Sequence, residues 1–274
     1  MHRRMLFVCF LLLFAWINVV WAAPLPLPPQ VGAEAAILYA PATKQILFGK
    51  KPDAIMYPAS TTKIMTLITA IEAGKPDGIV TVSSKAANTE GSSLGLNAGD
   101  QLTLQNVMFG MMMVSGNDAA VAIAQNVAGS VPAFVDMMNA NAAKIGATRT
   151  HFSNPNGLPD PINHYTTAHD LALIAAYALQ NPLFAKIVST PEYDVQFLNR
   201  PTMHVTNINR LLKTYPGADG VKTGYTHDAG DCLVAAAKRN GVQLIAVMLN
   251  DDQRWDDAVK LLDYGFQTLH VNRN

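Results

Sequence analysis

Three short stretches of the chain gather side chains that could do chemistry together. In "YPASTTKIM", Ser60 and Lys63 stand three residues apart, on one face of a helix. A serine at a helix start has an unpaired backbone N–H and the positive end of the helix dipole beside it, and both favour an alkoxide or an oxyanion. A lysine one turn on can hydrogen-bond the hydroxyl, and burial or a nearby cation would lower its pKa enough to make it a base. The same pair also reads as an N-cap serine followed by a solvated lysine, and the spacing does not choose between them. In "VSGND", Ser115, Gly116 and Asn117 fall at the break between two apolar helices. That is either a plain turn or a loop that pushes a hydroxyl and an amide into a cleft. In "VKTGYT", Lys222, Thr223 and Gly224 lie in a strand. Alternation sends Lys222 and Gly224 to one face and Thr223 to the other, unless the strand is twisted or at a sheet edge. Glycine there admits close approach of a ligand backbone, and an ammonium with a hydroxyl suits a carboxylate ligand.

The surrounding pattern says what positions these groups. "EAAILYA" and "KQILFGK" flank "PATK" and predict a hairpin. Ser60 to Ala73 is apolar at helical spacing, "IVTVSS" predicts a short strand, and "LTLQNVMFGMMMV", "DAAVAIAQNVAG" and "VPAFVDMMNANAAKIG" predict helices. "SNPNGLPDPINHY" is a loop dense in turn residues, and "TTAHDLALIAAYALQ" a helix with a threonine cap. After Thr190 the character changes. "EYDVQF" reads as a strand, and "GVKTGYT" and "CLVAAAKRNGVQLIAVML" read as three more, the last two joined through the type I′ pair Asn240-Gly241. "WDDAVKLLDYGFQTL" is a closing helix. Strands at both ends with helices between them predict an α/β chain of the α+β type: one antiparallel sheet built from both chain ends, flanked by helices, with an inserted all-helical lobe.

Composition bounds the rest. Arg3 and Arg4, the 13-residue apolar run Met5 to Ile17, and the small residues Ala22 and Ala23 have the order of a secretory signal peptide. The run is short for a membrane span of ~20 residues. We therefore expect an exported protein, in the periplasm or at the outer face of the cytoplasmic membrane, cleaved after Ala22 or Ala23. The expected division is a signal peptide over 1–23, a proline-rich leader over 24–32 and a catalytic domain over 33–274, with no second β domain. The 20 Lys+Arg of the whole chain become 18 without the two signal arginines, against 20 Asp+Glu. That near-neutral balance argues against nucleic acid or another polyanion held by bulk charge. Cys9 leaves with the signal, so Cys232 stands alone with no intramolecular disulfide. His164 and His169 are five residues apart, which is not a ligand spacing on one helical face, so no metal and no cofactor are expected. Met111 to Met113 reads as core packing. "GADGVKT" has Val221 where a phosphate loop needs glycine. No obligatory protein partner is evident.

Ser-x-x-Lys, Ser-x-Asn and Lys-Thr-Gly in this order resemble the penicillin-binding proteins and serine β-lactamases. The longer stretches "YPASTTKIMT", "MMMVSGNDAA", "HFSNPNGLPD", "HYTTAHDLA" and "GVKTGYTHDAGDCLVAAAKRNG" are similar to the low-mass serine D-alanyl-D-alanine carboxypeptidases, and the similarity runs from about Ala33 to Phe266. The resemblance implies a β-lactamase/transpeptidase-like fold. It implies Ser60 as nucleophile, Lys63 as its base, Ser115 as proton relay and Asn117 as holder of Lys63 and the substrate amide. Lys222 would supply positive potential, and Thr223, Gly224, Tyr225 and Arg254 would line the substrate carboxylate, with the backbone N–H groups of Ser60 and Tyr225 as oxyanion hole. The implied substrate is a peptidoglycan stem peptide ending D-Ala-D-Ala, with β-lactams as covalent inhibitors.

A class A β-lactamase also needs a glutamate to activate the deacylating water. No glutamate occurs between Ser115 and Glu192; Asp160 and Asp170 are shorter by a methylene. A long-lived penicilloyl adduct is therefore expected. The alternatives are a DD-endopeptidase that cuts cross-links and a weakly active β-lactam-sensing or wall-binding domain. "KTGYT" with the following "AG" and Arg254 favour the carboxypeptidase; many such carboxypeptidases continue into a small β domain and an amphipathic anchor, whereas this sequence ends 52 residues after Lys222, which raises the endopeptidase reading slightly.

Overall fold

A computed structural model of the chain describes residues 26–271. The apolar N-terminal stretch with Cys9, the cleavage positions and the first residues of the leader lie outside the described residues. In chain order these form β1 (Ala35–Ala40), β2 (Gln45–Lys50), a 3-10 turn (Ala59–Thr62) continuous with α1 (Lys63–Ala73), β3 (Ile79–Thr81), α2 (Ser84–Ala87) and β4 (Gln101–Thr103). Then come α3 (Leu104–Val114), α4 (Asn117–Ala128), α5 (Val131–Ile145), α6 (Ala168–Ala178) and α7 (Pro182–Ser189). The chain continues through β5 (Glu192–Val195), β6 (Met203–Thr206), α8 (Leu211–Thr214), β7 (Ala218–Thr226), β8 (Gly230–Arg239), β9 (Val242–Leu249) and α9 (Arg254–Thr268).

The main sheet has the order β2-β1-β9-β8-β7, with antiparallel neighbours. Both chain ends thus meet in it, as the sequence predicts, and β7 is left as an edge. The central strands are buried on both faces and divide their side chains with period two. Ile37, Val234, Ile245 and Val247 pack towards the helical lobe; Leu38, Leu233, Leu244 and Met248 pack under α9, which offers Ala258, Leu261, Leu262 and Phe266 from one stripe. Asn240 and Gly241 both have positive φ, 47° and 81°, the backbone that a type I′ hairpin requires.

Two local expectations change. The helix read from Leu102 begins at Leu104: the Thr103 side chain accepts from Asn106 N and caps it, while Gln101–Thr103 pair with Ile79–Thr81 as β4. The expected strand "IVTVSS" stops at Thr81, and Ser83 caps the short α2. Two elements have too little period to be read from sequence. Asn181 caps α7 by accepting from Leu183 N and Phe184 N, and β6 exists by pairing with β5, whose Tyr193 stacks on Phe109 of α3 at 3.9 Å. Met111, Met112 and Met113 are buried core. Among the described residues no single helix is long and apolar enough to cross a membrane.

Candidate active site

Ser60 sits inside the 3-10 turn, not at a helix cap: Pro58 occupies the cap position, and no side chain caps the turn. The capping explanation of this serine therefore fails. Ala59, just before it, has φ of 46°, a left-handed conformation that an alanine holds only when its surroundings enforce it. Two glycines enforce it. A Cβ on Gly157 (φ 91°) would land on the Ala59 carbonyl, and one on Gly224 would sit 3.0 Å from Ser60 N and 3.1 Å from Pro58 O. The turn is clamped between the 153–164 loop and the edge strand. Gly224 is thus needed for the protein's own backbone, where the sequence suggested a ligand's.

Lys63, the first residue of α1, is fully buried. Its Nζ lies 2.9 Å from Ser60 Oγ, 2.7 Å from Asn117 Oδ1 and 2.6 Å from the Asn156 carbonyl. Asn117 can be oriented without ambiguity, because its Nδ2 donates to the Glu90 carbonyl (2.7 Å) and Oδ1 must face Lys63. Burial pushes the Lys63 amine well below the ordinary lysine range; the Lys222 charge pushes the same way and Asp118 opposes it. A neutral amine has two hydrogens and one lone pair. The two carbonyl oxygens can only accept, so they take both hydrogens, and the lone pair is left facing Ser60. Burial thus favours the neutral amine, and in that form the two acceptors aim its lone pair at Ser60.

Asn117 opens α4, one residue after Ser115, which caps the C-terminal end of α3 with φ 63°. The Ser115 hydroxyl has no hydrogen-bond partner among the described residues. Asp118, fully buried, accepts from Ser93 Oγ (2.6 Å), Leu94 N (2.9 Å) and Leu96 N (3.0 Å), tying this break to the 93–96 segment. On β7, Lys222 is 1 % exposed and donates to the Thr223 carbonyl at 2.9 Å. Burial, then the Arg254 charge, lowers its pKa to about 7. Cross-strand pairing puts Lys222 and Gly224 opposite Val234 and Cys232, on the lobe face, and Thr223 opposite Leu233 on this edge strand. Arg254, the first residue of α9, donates from Nη1 to the Gly224 carbonyl (2.7 Å) and pairs with Asp231 (2.8 Å). It braces the back of the edge strand. Tyr225 is 64 % exposed.

The structure therefore joins Ser60, Lys63 and Asn117 by hydrogen bonds and sets Gly224 against the serine turn. Among the described residues, the Thr223, Tyr225 and Ser115 side chains make no hydrogen bond to that group. Sequence reasoning missed the third partner of Lys63, the Asn156 carbonyl. Its loop was legible as turns: Asn154 Oδ1 accepts from Asn156 N (3.2 Å) and Gly157 N (2.7 Å), a bend that "NPNG" encodes. The missed partner of that loop is His164. Ser153 N donates to its Nδ1 (3.0 Å), so Nε2 carries the proton facing Thr62 Oγ1 at 2.8 Å. Burial lowers its pKa to about 4, so it is neutral. It ties the loop to the turn that bears Ser60. Asp160 and Asp170 are committed elsewhere, Asp160 to Ile162 N and Asn163 N, and Asp170 to Arg149 N and Thr150 Oγ1. Cys232 is a buried free thiol, pushed up to about 11 by burial.

Comparison with known proteins agrees with this arrangement. Residues 22–253 match the peptidase S11 family, D-alanyl-D-alanine carboxypeptidase. The chain is 37 % identical over 248 residues to the D-alanyl-D-alanine carboxypeptidase DacF of Bacillus subtilis, covering 88 % of this chain and 64 % of DacF. It is 35 % identical to DacB2 of Mycobacterium tuberculosis, over 81 % of this chain and 78 % of that protein. The crystal structure of the Streptomyces K15 DD-transpeptidase superposes with a TM-score of 0.84 at 32 % identity, covering 88 % of this chain and 99 % of that one. The chain thus spans a little under two thirds of DacF and most of the K15 enzyme. A serine hydrogen-bonded to a buried lysine beside a sheet built from both ends of the domain, together with a family match over most of the sequence, place this chain in the D-alanyl-D-alanine carboxypeptidase family.

Proposed function

We propose that the chain is a serine-type D-Ala-D-Ala carboxypeptidase that removes the terminal D-alanine of peptidoglycan stem peptides through an acyl-Ser60 intermediate. The observation that carries this is the three-way hydrogen bonding of Lys63, which leaves its lone pair for the Ser60 proton. Lys63 takes that proton as Ser60 Oγ attacks the scissile carbonyl. The C–N bond breaks, and the departing D-alanine amine regains the proton from Lys63 by way of the Ser115 hydroxyl. Ser60 N and Tyr225 N receive the oxyanion, and losing one such donor costs ~10²–10³ in rate. Lys222 and Thr223 hold the substrate carboxylate, and Arg254 acts on them through Gly224. Water then releases the acyl group. With no glutamate in the S115–E192 interval and both aspartates committed to the loop and α6, water attack on a bulky penicilloyl group is slow. The N-terminal stretch supports export to the cell-wall compartment.

The test is a defined substrate pair, a monomeric pentapeptide ending D-Ala-D-Ala and a cross-linked dimer. Free D-alanine from the first, abolished in Ser60→Ala, is the expected result. Cleavage of the dimer alone would make the enzyme an endopeptidase. Penicillin labelling of Ser60 with no peptide turned over would make it a sensor. Because the K15 neighbour is called a transpeptidase, the same assay with an added amine reads the acyl group's other fate.

A further inference from the structure

His164 is 1 % exposed, and the two nitrogens of its ring have opposite duties. Nδ1 accepts from Ser153 N at the start of the loop, so it carries no proton. Nε2 donates to Thr62 Oγ1, on the residue just before Lys63. Three residues past Ser153, the Asn156 carbonyl accepts from Lys63 Nζ at 2.6 Å. The imidazole is thus a rigid spacer between the turn that bears the base and the segment that supplies one of its two carbonyl acceptors. The loop has other ties. The Pro155 carbonyl accepts from Thr66 Oγ1 at 2.6 Å, and Asn139 bonds both the N–H and the carbonyl of Phe152. Tyr165 and Thr166 pair with His151 and Met56. Losing the imidazole should therefore shift the loop without unfolding it.

We propose that His164 is a positioning residue for the reaction: the neutral imidazole, bonded at both ends, sets the Asn156 carbonyl against Lys63 and so aims the base at Ser60. The ring must be neutral, because an imidazolium would point an N–H at the N–H of Ser153. Burial keeps it so, lowering its pKa to about 4. The charges that face it divide: Asp160, in the loop, favours the proton, whereas His151, before the loop, and Lys63, after the turn, disfavour it. The assignment rests on Lys63 as the base of Ser60, and not on which peptide is cut.

The test follows penicillin acylation of Ser60 against pH in the wild type, Thr62→Val, His164→Asn and the double variant, with bound penicillin counting the competent sites. Valine removes the hydroxyl at nearly the same volume, and asparagine keeps an acceptor for Ser153 N but is too short for Thr62. Each single variant should lower the acylation rate constant about tenfold. The double variant should lose no more than the worse single one, since both break one bond. The acid limb of the profile carries the sign. A carbonyl acceptor favours the ammonium, so withdrawing it lets the Lys63 pKa fall and moves the limb to lower pH. A site that merely loosens admits water, which returns Lys63 towards the ordinary lysine range and moves the limb up. A limb that moves up or stays, full rates in both single variants, or losses that multiply in the double variant overturns the proposal. D-alanine release from the pentapeptide separates it from the function proposed above. Penicillin acylation with this pattern but no D-alanine released would remove the carboxypeptidase and leave His164 in its role. D-alanine release abolished in Ser60→Ala but unchanged in His164→Asn would do the reverse.

Discussion

The proposed mechanism asks opposite charge states of two buried lysines. Lys63 must be neutral to accept the Ser60 proton, whereas Lys222 must be protonated to attract a carboxylate. With Lys222 at about 7 in the free enzyme, its charge is lost as pH rises through that value. We therefore expect kcat/KM for a carboxylate-bearing peptide to fall above about pH 7, with the limb displaced upward in kcat, because the bound carboxylate stabilises the ammonium. A substrate amidated at its C-terminus should lack this limb; a flat profile for both would contradict the assignment. The same depression has a cost in stability. Lys222 binds a proton more readily unfolded, near 10.4, than folded, so stability rises with pH between about 7 and 10 and is lower by roughly 3–5 kcal/mol below that window. Lys222→Met should raise Tm at pH 7 by at least about 3 °C while lowering kcat/KM at least 10²-fold, measured by calorimetry and D-alanine release. The sequence showed that Lys63 needed a depressed pKa. It could not show the Asn156 carbonyl, because a backbone acceptor 93 residues away leaves no side-chain signature.

At the level of elements, the site is a turn held between a loop and a strand. Gly157→Ala puts a methyl into the Ala59 carbonyl from a left-handed backbone, so it should lower Tm and abolish acylation together. Gly224→Ala presses on Ser60 N at only 3.0 Å, a shift of a few tenths of an ångström. It should cost at least about tenfold in penicillin acylation rate with little change in Tm. If the two substitutions behave alike, the clamp is not divided as described. The sheet, its hairpins and most helices were legible because they carry a period of two or 3.6 and end in turn residues or caps. β4 and β6 were not, since three- and four-residue strands hold too few alternations and exist through their partners. Ser60 itself was half-legible: the face it shares with Lys63 follows from spacing, but the 3-10 turn is imposed by Gly157 and Gly224.

Across the whole molecule, the groups around Lys63 come from positions 60, 117, 156 and 222, so no fragment holds the site. A single cooperative fold should lose penicillin acylation and far-UV ellipticity at the same urea midpoint. An earlier loss of acylation would mean that the turn or the edge strand opens first. The two cores meet across the main sheet, and removing the Phe266 side chain, which α9 buries against the sheet, should cost about 3–5 kcal/mol without altering the acylation rate of the folded fraction.

The Cys232 thiol faces the same seam. It sits opposite Gly224, and its Sγ lies 3.8 Å from the Tyr57 carbonyl, beneath the segment that leads into Ser60. Shut away from water and held as a thiol, it is inert to alkylating reagents while the edge strand stays paired. Each alkylation event at Cys232, read by mass, therefore counts an opening of the active-site seam. The protein carries its own clock for how often the catalytic turn and β7 part, and a penicilloyl group on Ser60 would slow it.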